Sequence, residues 1–242
     1  MKIRTQNKLM EYKDIDDPFF CDVIMPKCIH NIMASEFDSF ETIYAAYNNV
    51  KYIIESQIPG DIVECGVWKG GMTQLAALTM IHLNDTSRNI YLYDTFEGMP
   101  LPDKSDVDWD GKKAIDTWQK FVISGNKWGF GGGINSVAQL MHSTNYPKEK
   151  IIIVKGKVEE TIPETMPKNI SLLRLDTDFY QSTLHELNHL FPILVKGGVL
   201  VIDDYGYYLG ARKACDEYFK KNKIKMLLSR INNLGAREGV KF

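Results

Sequence analysis

From Gly60 onward, short apolar segments alternate with segments of helical length and periodicity. The short segments lie at 61–65, 89–94, 150–154, 171–175 and 198–202, and the helical ones at 72–82, 134–146 and 181–190. Short runs that are apolar throughout are typical of strands buried on both faces of a parallel sheet. Such strands are joined by right-handed helical crossovers. The alternation therefore predicts an α/β fold with a mostly parallel sheet flanked by helices.

Two parts of the chain interrupt this alternation. Residues 1–59 are predicted to form an N-terminal helical extension, with one helix over 40–54, ahead of a main domain over 60–242. Inside that domain, residues 97–133 carry two prolines, three tryptophans and the run Gly-Phe-Gly-Gly-Gly. A connection of this length is usually a functional lid or a mobile segment. We expect a lid-like insert whose tryptophans cover a ligand or pack a small local core.

Composition excludes several classes of protein. The 242 residues carry a net charge of −2, so nucleic acid is not an expected partner. No segment approaches the roughly 20 apolar residues of a membrane span, and the N-terminus lacks the apolar core of a signal peptide. The four cysteines show no Cys-x-x-Cys spacing, and Cys65 and Cys215, which lie in apolar segments, are expected to be buried free thiols. A cytoplasmic protein fits these features best.

Four aspartates follow the last two predicted strands. Asp176 and Asp178 come after the strand at 171–175, and Asp203 and Asp204 come after the strand at 198–202. Ligands of open α/β sheets bind beyond the carboxyl ends of the strands, and carboxylates gathered there repel one another unless a cation or proton lies between them. Oxygen ligands without a nearby His or Cys cluster suit magnesium, manganese or calcium. Asp203 and Asp204 are adjacent, so both reach one ion only if their strand has already ended.

The turn after the first predicted strand reads Glu64-Cys-Gly66-Val-Trp-Lys-Gly70-Gly71. Glycine at such a turn permits a tight bend and close approach of a ligand, although the spacing is not the G-x-G-x-x-G of pyrophosphate sites. Asp94 ends the second strand, where a carboxylate is placed to accept hydrogen bonds from a ribose. That placement suits NAD or S-adenosylmethionine, and the missing pyrophosphate motif favours the latter. Alternatively, the glycines form a structural turn and Asp94 caps the next one.

A zinc-protease pattern, H-E-x-x-H, occurs at His185–His189. The helix predicted there would bury Leu184, Leu187 and Leu190 against the sheet, which places both histidines on a different stripe, towards solvent. No third zinc ligand is evident in the sequence. We therefore interpret the match as a coincidence.

Taken in order, five segments resemble the macrocin O-methyltransferase family, class I S-adenosylmethionine-dependent enzymes that methylate sugar hydroxyls. The segments read GDIVECGVWKGG, YDTFEGMP, VKGKVEETIP, LRLDTDFYQST and GGVLVIDDYG, and they cover most of residues 60–220. The resemblance implies a Rossmann-like class I methyltransferase fold with a seven-stranded sheet. Thr177 stands where that family usually has glycine, and the stretch 109–133 and the C-terminal tail also depart from its pattern, so acceptor identity does not carry over.

The resemblance also implies roles for individual residues. The implied S-adenosylmethionine site comprises Glu64, Gly66, Gly70 and Gly71 at the methionine end and Asp94 and Thr95 at the ribose. The implied magnesium (or manganese) ligands are Asp176, Asp203 and Asp204. Asp178 falls at the position of the family's proposed general base.

These features together predict magnesium-assisted O-methylation of a sugar hydroxyl. A divalent ion lowers the pKa of the hydroxyl while a carboxylate takes its proton. The expected acceptor is a small molecule: a nucleotide-activated sugar, a surface-polysaccharide precursor or a glycosylated metabolite. The alternatives are a small catechol or phenol as acceptor, and a non-catalytic cofactor-binding scaffold. The N-terminal extension is expected either to close over the cofactor or to make a contact in a homo-oligomer.

Overall fold

A computed structural model describes Asp17, residues 19–32 and residues 40–242, and these residues form the predicted α/β architecture. Five strands are parallel: β1 (Asp61–Cys65), β2 (Ile90–Asp94), β3 (Ile151–Lys155), β4 (Ile170–Leu175) and β5 (Leu194–Ile202). Two short strands, β6 (Ser229–Arg230) and β7 (Arg237–Val240), continue the sheet in antiparallel pairing. The order β3-β2-β1-β4-β5-β7-β6 confirms a seven-stranded, mostly parallel sheet. The sequence pattern located only the first five of these strands.

Helices pack on both faces of the sheet. They are α1 (Met25–Ile32), α2 (Phe40–Glu55), α3 (Gly71–His82), α4 (Ala114–Ile123), α5 (Ile134–Ser143), α6 (Val158–Thr161), α7 (Tyr180–His189) and α8 (Leu209–Lys221). A π-helical turn at Phe20–Ile24 leads into α1, and 3-10 turns occupy Lys148–Lys150, Phe191–Ile193 and Asp203–Tyr205. Within the described part of the chain, no helix is both long and apolar enough to cross a bilayer.

The core has two layers because successive strand residues point to opposite faces. On β1, Ile62 joins a cluster formed with α2, α3 and α5, whereas Val63 joins a cluster formed with α7 and α8. Both residues are almost completely buried. All four cysteines are buried free thiols, which confirms the prediction for Cys65 and Cys215.

The described N-terminal residues form helices that pack against α3. A Cβ atom on Gly71, the first residue of α3, would lie 2.5 Å from Ile32 Cγ1 and 2.7 Å from the carbonyl carbon of Asn31. Gly71 therefore allows α1 to cross the start of α3 closely. Asn31 also donates a hydrogen bond from Nδ2 to Gln74 Oε1 at 2.8 Å. The remaining parts of the predicted 1–59 extension, residues 1–16, 18 and 33–39, lie outside the described residues.

Candidate functional site

The carboxyl ends of the parallel strands open into a cavity of about 770 Å³, within the usual range for ligand sites. The predicted site residues that line it are Gly66, Asp94, Thr95, Asp176, Asp178, Asp203 and Asp204. Three others, Glu64, Gly70 and Gly71, are buried and are not part of its lining. The sheet edge thus brings together residues from four separate strand ends.

The turn after β1 and the turn after β4 press against each other. Gly66 has a φ of +84°, and a Cβ atom there would lie 1.9 Å from the carbonyl oxygen of Asp176. The Asp176 backbone N–H donates to the Cys65 carbonyl at 2.8 Å. Only glycine permits this approach, because it has no Cβ and tolerates the left-handed conformation.

Three of the four predicted aspartates form a group that we call the carboxylate triad: Asp176, Asp178 and Asp204. One carboxylate oxygen from each lies within 4.8 Å of the others. Oxygens bound to one divalent ion at about 2.0–2.6 Å lie no more than about 4–5 Å apart, so the triad fits a single cation.

The backbone explains how the triad converges. Strand β4 ends at Leu175, so Asp176 and Asp178 do not share a strand face. Asp178 instead adopts a φ of +66°, and its N–H donates to Asp204 Oδ2 at 3.0 Å. Strand β5 ends at Ile202, and Asp203 and Asp204 lie in a 3-10 turn. The chain has therefore left the strand before both aspartates, as the sequence analysis required.

Electrostatic repulsion within the triad is severe. Burial, together with the neighbouring carboxylates, raises the pKa of Asp176, Asp178 and Asp204. A proton on one of these carboxyl groups would reduce the repulsion. A divalent cation would replace that proton and relieve the repulsion.

The carboxylate of Asp203 lies outside the triad and pairs with an arginine. The buried guanidinium of Arg174 donates to Asp203 Oδ1 at 2.8 Å, to Glu64 Oε1 at 2.9 Å and to Asp176 Oδ2. Arg174 thus joins the ends of β1, β4 and β5, and Asp203 lies outside the triad. The sequence predicts Asp176, Asp203 and Asp204 as the cation ligands, and this ligand set stays a prediction. The carboxylates that lie close together in the structure are those of Asp176, Asp178 and Asp204.

Glu64 carries an unsatisfied oxygen. Its side chain is 5% exposed, Oε1 accepts from Arg174, and Oε2 has no hydrogen-bond partner among the described residues. Burial raises the pKa of Glu64 to about 7, with Arg174 opposing that rise. A buried carboxylate oxygen of this kind is costly unless a donor reaches it. The ammonium of an amino-acid ligand is such a donor.

Asp94 holds the glycine-rich turn. Its Oδ2 accepts from the backbone N–H groups of Val67 at 2.8 Å and Trp68 at 2.9 Å, and its Oδ1 accepts from Phe96 N at 2.6 Å. Asp94 therefore caps the turn that follows it, which is the structural alternative to a ribose contact. Thr95 similarly closes its own turn by donating from Oγ1 to the Gly98 carbonyl at 2.7 Å. A ribose contact by either residue stays a prediction.

The 97–133 insert forms one wall of the cavity and contains α4, a helix that the sequence analysis did not place. Backbone Tyr180 N donates to Asp106 Oδ1 at 3.0 Å, and Trp109 N donates to the Tyr207 carbonyl at 2.9 Å. These contacts tie the insert to the turns that follow β4 and β5. Trp128 both lines the cavity and packs on Phe179, whereas the Trp109 side chain is 63% exposed.

The insert also places lysines against the cavity. Lys112, Lys113 and Lys127 line it, and all three side chains are exposed. Lys112 forms a surface ion pair with Asp110 at 3.2 Å. The cavity therefore has a basic wall on the insert, in addition to the acidic groups at the sheet edge.

The H-E-x-x-H pattern forms no metal site among the described residues, where the one group able to hold a cation contains no histidine. His185 Nε2 contacts the Ile162 carbonyl at 2.9 Å, and the His185 and His189 rings lie 4.4 Å apart. The motif's Glu186, however, is completely buried. The sequence analysis missed this burial, although Glu186 lies four residues before buried Leu190 and so shares its helix face.

Sequence reasoning also missed Arg174. It is a single charged residue within the otherwise apolar segment 172–175. A charge inside a strand buried on both faces must be paired, and that is the signal that would have found it.

Comparisons with known proteins agree with this architecture. A profile of the macrocin-O-methyltransferase (TylF) family matches residues 41–237. The 8-demethyl-8-(2,3-dimethoxy-alpha-L-rhamnosyl)-tetracenomycin-C 4'-O-methyltransferase of Streptomyces olivaceus is 28% identical over 198 residues, which are 78% of this chain and 70% of that protein. The mycinamicin III 3''-O-methyltransferase of Micromonospora griseorubida is 26% identical over 193 residues, 78% of this chain and 73% of that protein.

Solved structures share the fold. The O-methyltransferase NovP superposes with a TM-score of 0.72 at 24% identity, covering 84% of this chain and 80% of that chain. CalS11, described as a TDP-rhamnose 3'-O-methyltransferase, superposes with a TM-score of 0.56 at 18% identity, covering 97% of this chain and 90% of that chain.

Proposed function

The chain belongs to the macrocin O-methyltransferase family and is an O-methyltransferase, and from that premise we propose that it methylates a sugar hydroxyl with the help of a divalent cation. The family implies S-adenosylmethionine as the methyl donor. The observation that carries the proposal is the carboxylate triad, whose oxygens lie within 4.8 Å of one another at the edge of the sheet.

The cofactor site that we propose uses the predicted residues in different ways. Glu64 Oε2, buried without a partner among the described residues, fits the ammonium of the methionine moiety. Gly66 lets the turn after β1 pack against the Asp176 carbonyl, which brings the proposed cofactor and cation sites side by side. Gly70 caps α3 with a φ of +84°. S-adenosylmethionine supplies a methyl group on a positively charged sulfur.

The cation site that we propose is formed by the triad of Asp176, Asp178 and Asp204. Three carboxylates without a histidine or thiolate fit magnesium or manganese. The bound cation lowers the pKa of a hydroxyl that contacts it. Asp203 is not in the group of carboxylates whose oxygens lie within 4.8 Å of one another, so the geometry favours Asp178 as the third ligand.

Asp178 is also the base that we propose. A carboxylate within hydrogen-bond reach of the acceptor hydroxyl can take its proton. A carboxylate that contacts the cation through one oxygen keeps the other for the proton of the acceptor hydroxyl. Asp178 lines the cavity, so that oxygen is accessible to an acceptor bound there.

The acceptor that we propose is a nucleotide-activated sugar, in preference to a surface-polysaccharide precursor or another glycosylated metabolite. The wall formed by Lys112, Lys113 and Lys127 favours a ligand with phosphate groups, because ammonium groups pair with phosphate oxygens. The same cavity would place the sugar hydroxyls at the acidic edge. Relatives named for a rhamnosyl group or for TDP-rhamnose support a sugar acceptor. The four buried thiols fit a reducing compartment, so we place the reaction in the cytoplasm.

The test is transfer of an isotopically labelled methyl group from S-adenosylmethionine to sugar nucleotides, to the methyl glycosides of the same sugars, and to catechols. We expect transfer to a sugar nucleotide that is lost on chelation and restored by magnesium. Transfer to catechols but to no sugar would refute the sugar acceptor. Full activity after exhaustive chelation would refute the cation.

A charge-reversal pair tests the basic wall. Lys113→Glu and Lys127→Glu should raise the KM for the sugar nucleotide more than for the methyl glycoside, which has no phosphate. Lys120→Glu is the matched control, since Lys120 is an exposed lysine of α4 that does not line the cavity. Equal effects of all three substitutions would argue against a phosphate contact.

A further inference from the structure

We propose that Glu186 is a positioning residue, which acts through Thr177 to hold the loop 176–178 in the shape that forms the carboxylate triad. The inference rests on the proposed function, in which the triad binds a divalent cation. Glu186 itself lies on α7, outside the cavity lining.

The contact that carries the inference is a partly buried hydrogen bond between a helix and a loop that lines the cavity. Thr177 Oγ1 donates to Glu186 Oε1 at 2.9 Å. Thr177 lies directly between Asp176 and Asp178, two members of the triad. Its side chain therefore connects the loop to a rigid helix at the position where the triad needs to be held.

The loop needs such a constraint because its backbone is unusual. Asp178 has a φ of +66°, and a non-glycine residue in that region persists only where its surroundings hold it. Other contacts act on the main chain of the loop: Phe179 N donates to the Thr177 carbonyl at 2.7 Å, and Asp178 N donates to Asp204. The Thr177 hydroxyl adds the side-chain constraint.

A purely structural explanation for Glu186 is weak. Its side chain is 0% exposed, Oε2 has no hydrogen-bond partner of good geometry among the described residues, and the Cys65 thiol that also interacts with this carboxyl group is only a weak donor. A buried carboxyl group with an unsatisfied oxygen destabilises a fold, whereas an apolar side chain of similar volume would pack beside Leu187 and Leu190 without that penalty. The stability cost of Glu186 indicates that its contact with Thr177 serves the site.

The experiment measures manganese binding to the full chain by electron paramagnetic resonance or calorimetry, without turnover. Thr177→Val removes the hydroxyl at nearly constant shape and should weaken binding about 10–100-fold, the usual effect of losing a group that orients a metal ligand. Glu186→Met should weaken binding similarly while leaving thermal stability equal or higher. Glu186→Gln keeps an oxygen acceptor and should retain most of the affinity.

Two controls separate positioning from general damage. Thr79→Val removes a comparable buried hydroxyl, which donates to the Leu75 carbonyl at 2.8 Å far from the site, and should leave manganese binding unchanged. S-adenosylhomocysteine affinity should stay constant in every variant. If Thr177→Val does not fold, the manganese affinities of Glu186→Met and Glu186→Gln can still be compared.

The outcomes distinguish the inference from the function on which it rests. Wild-type protein that binds no manganese would refute the proposed cation site. Wild-type protein that binds manganese, with Thr177→Val or Glu186→Met binding it equally well, would refute the positioning role alone. A loss of stability and of S-adenosylhomocysteine binding in parallel with manganese binding would mean that Glu186 serves the fold.

Discussion

Replacing Arg174 with methionine should destabilise the protein strongly, and more so at high pH than at low pH. The Arg174 side chain is 11% exposed and pairs with Glu64, Asp176 and Asp203. Methionine keeps the aliphatic part of the side chain but leaves three carboxylates without their cation. Removing one partner of a buried ion pair costs about 3–5 kcal/mol.

The contributions of the three carboxylates are unequal. Glu64 is 5% exposed and loses its partner in a nearly dry environment, whereas Asp176 and Asp203 are each 27% exposed and recover some hydration. We therefore expect a loss within that range rather than a sum over three pairs. For a domain of this size 1 kcal/mol shifts Tm by about 2–4 °C, so Tm should fall by about 6–20 °C.

The pH dependence follows from the pKa of Glu64. Burial raises it from 4.5 to about 7, and Arg174 limits the rise, so the pKa should increase further in the variant. A carboxyl group whose pKa is raised by folding contributes stability that is present below its unfolded pKa and is lost as pH rises through the folded value. The variant should therefore differ from wild type more at about pH 8 than at about pH 5.

Urea and thermal unfolding followed by circular dichroism at the two pH values test this reasoning. Lys120→Met, which removes an exposed positive charge from α4, is the control and should change stability by less than about 0.5 kcal/mol. Adding Glu64→Gln to Arg174→Met should recover part of the loss. An equal Tm decrease at both pH values, or a loss of less than about 1 kcal/mol, would refute the account.

Three further predictions address the site and the core. Asp178→Asn should lower kcat by about 10²–10⁴-fold, with S-adenosylhomocysteine affinity unchanged in calorimetry. Asp203→Asn should weaken manganese binding less than Asp178→Asn does. If Asp203→Asn weakens it more, Asp203 is the third ligand of the cation. Gly66→Ala should abolish cofactor binding or folding, because its Cβ would lie 1.9 Å from a carbonyl oxygen; a folded variant with normal cofactor affinity would contradict this. Burial raises the pKa of the Cys28 thiol to about 12 and also raises the pKa of the Cys65 thiol. Thiol labelling near neutral pH should therefore be slow until denaturant is added. Rapid labelling of the native protein would show that these thiols are accessible.

The sheet was predictable from local pattern wherever strands are buried on both faces. Strands β1 to β5 are nearly continuous apolar runs, because helices cover both of their faces. Strand β7 (Arg237–Val240) was not predictable in this way, since it reads Arg-Glu-Gly-Val and forms only because the edge of β5 offers unpaired backbone groups. The helix α4 was not predicted for a similar reason: it lies between the prolines at 100 and 102 and the glycine-rich run at 129–133, without a strand directly on either side.

The sequence by itself determined which acidic residues gather at the edge of the sheet. That inference needs only the end of each strand, and the end of a strand is a local property. Tertiary structure decided how those charges are paired. Arg174 and Glu64 are 110 residues apart in the chain, yet they form an ion pair at 2.9 Å beside the triad. The burial of Glu186 beneath Thr177 was decided in the same way, because pairing and burial depend on distances between segments that no local pattern contains.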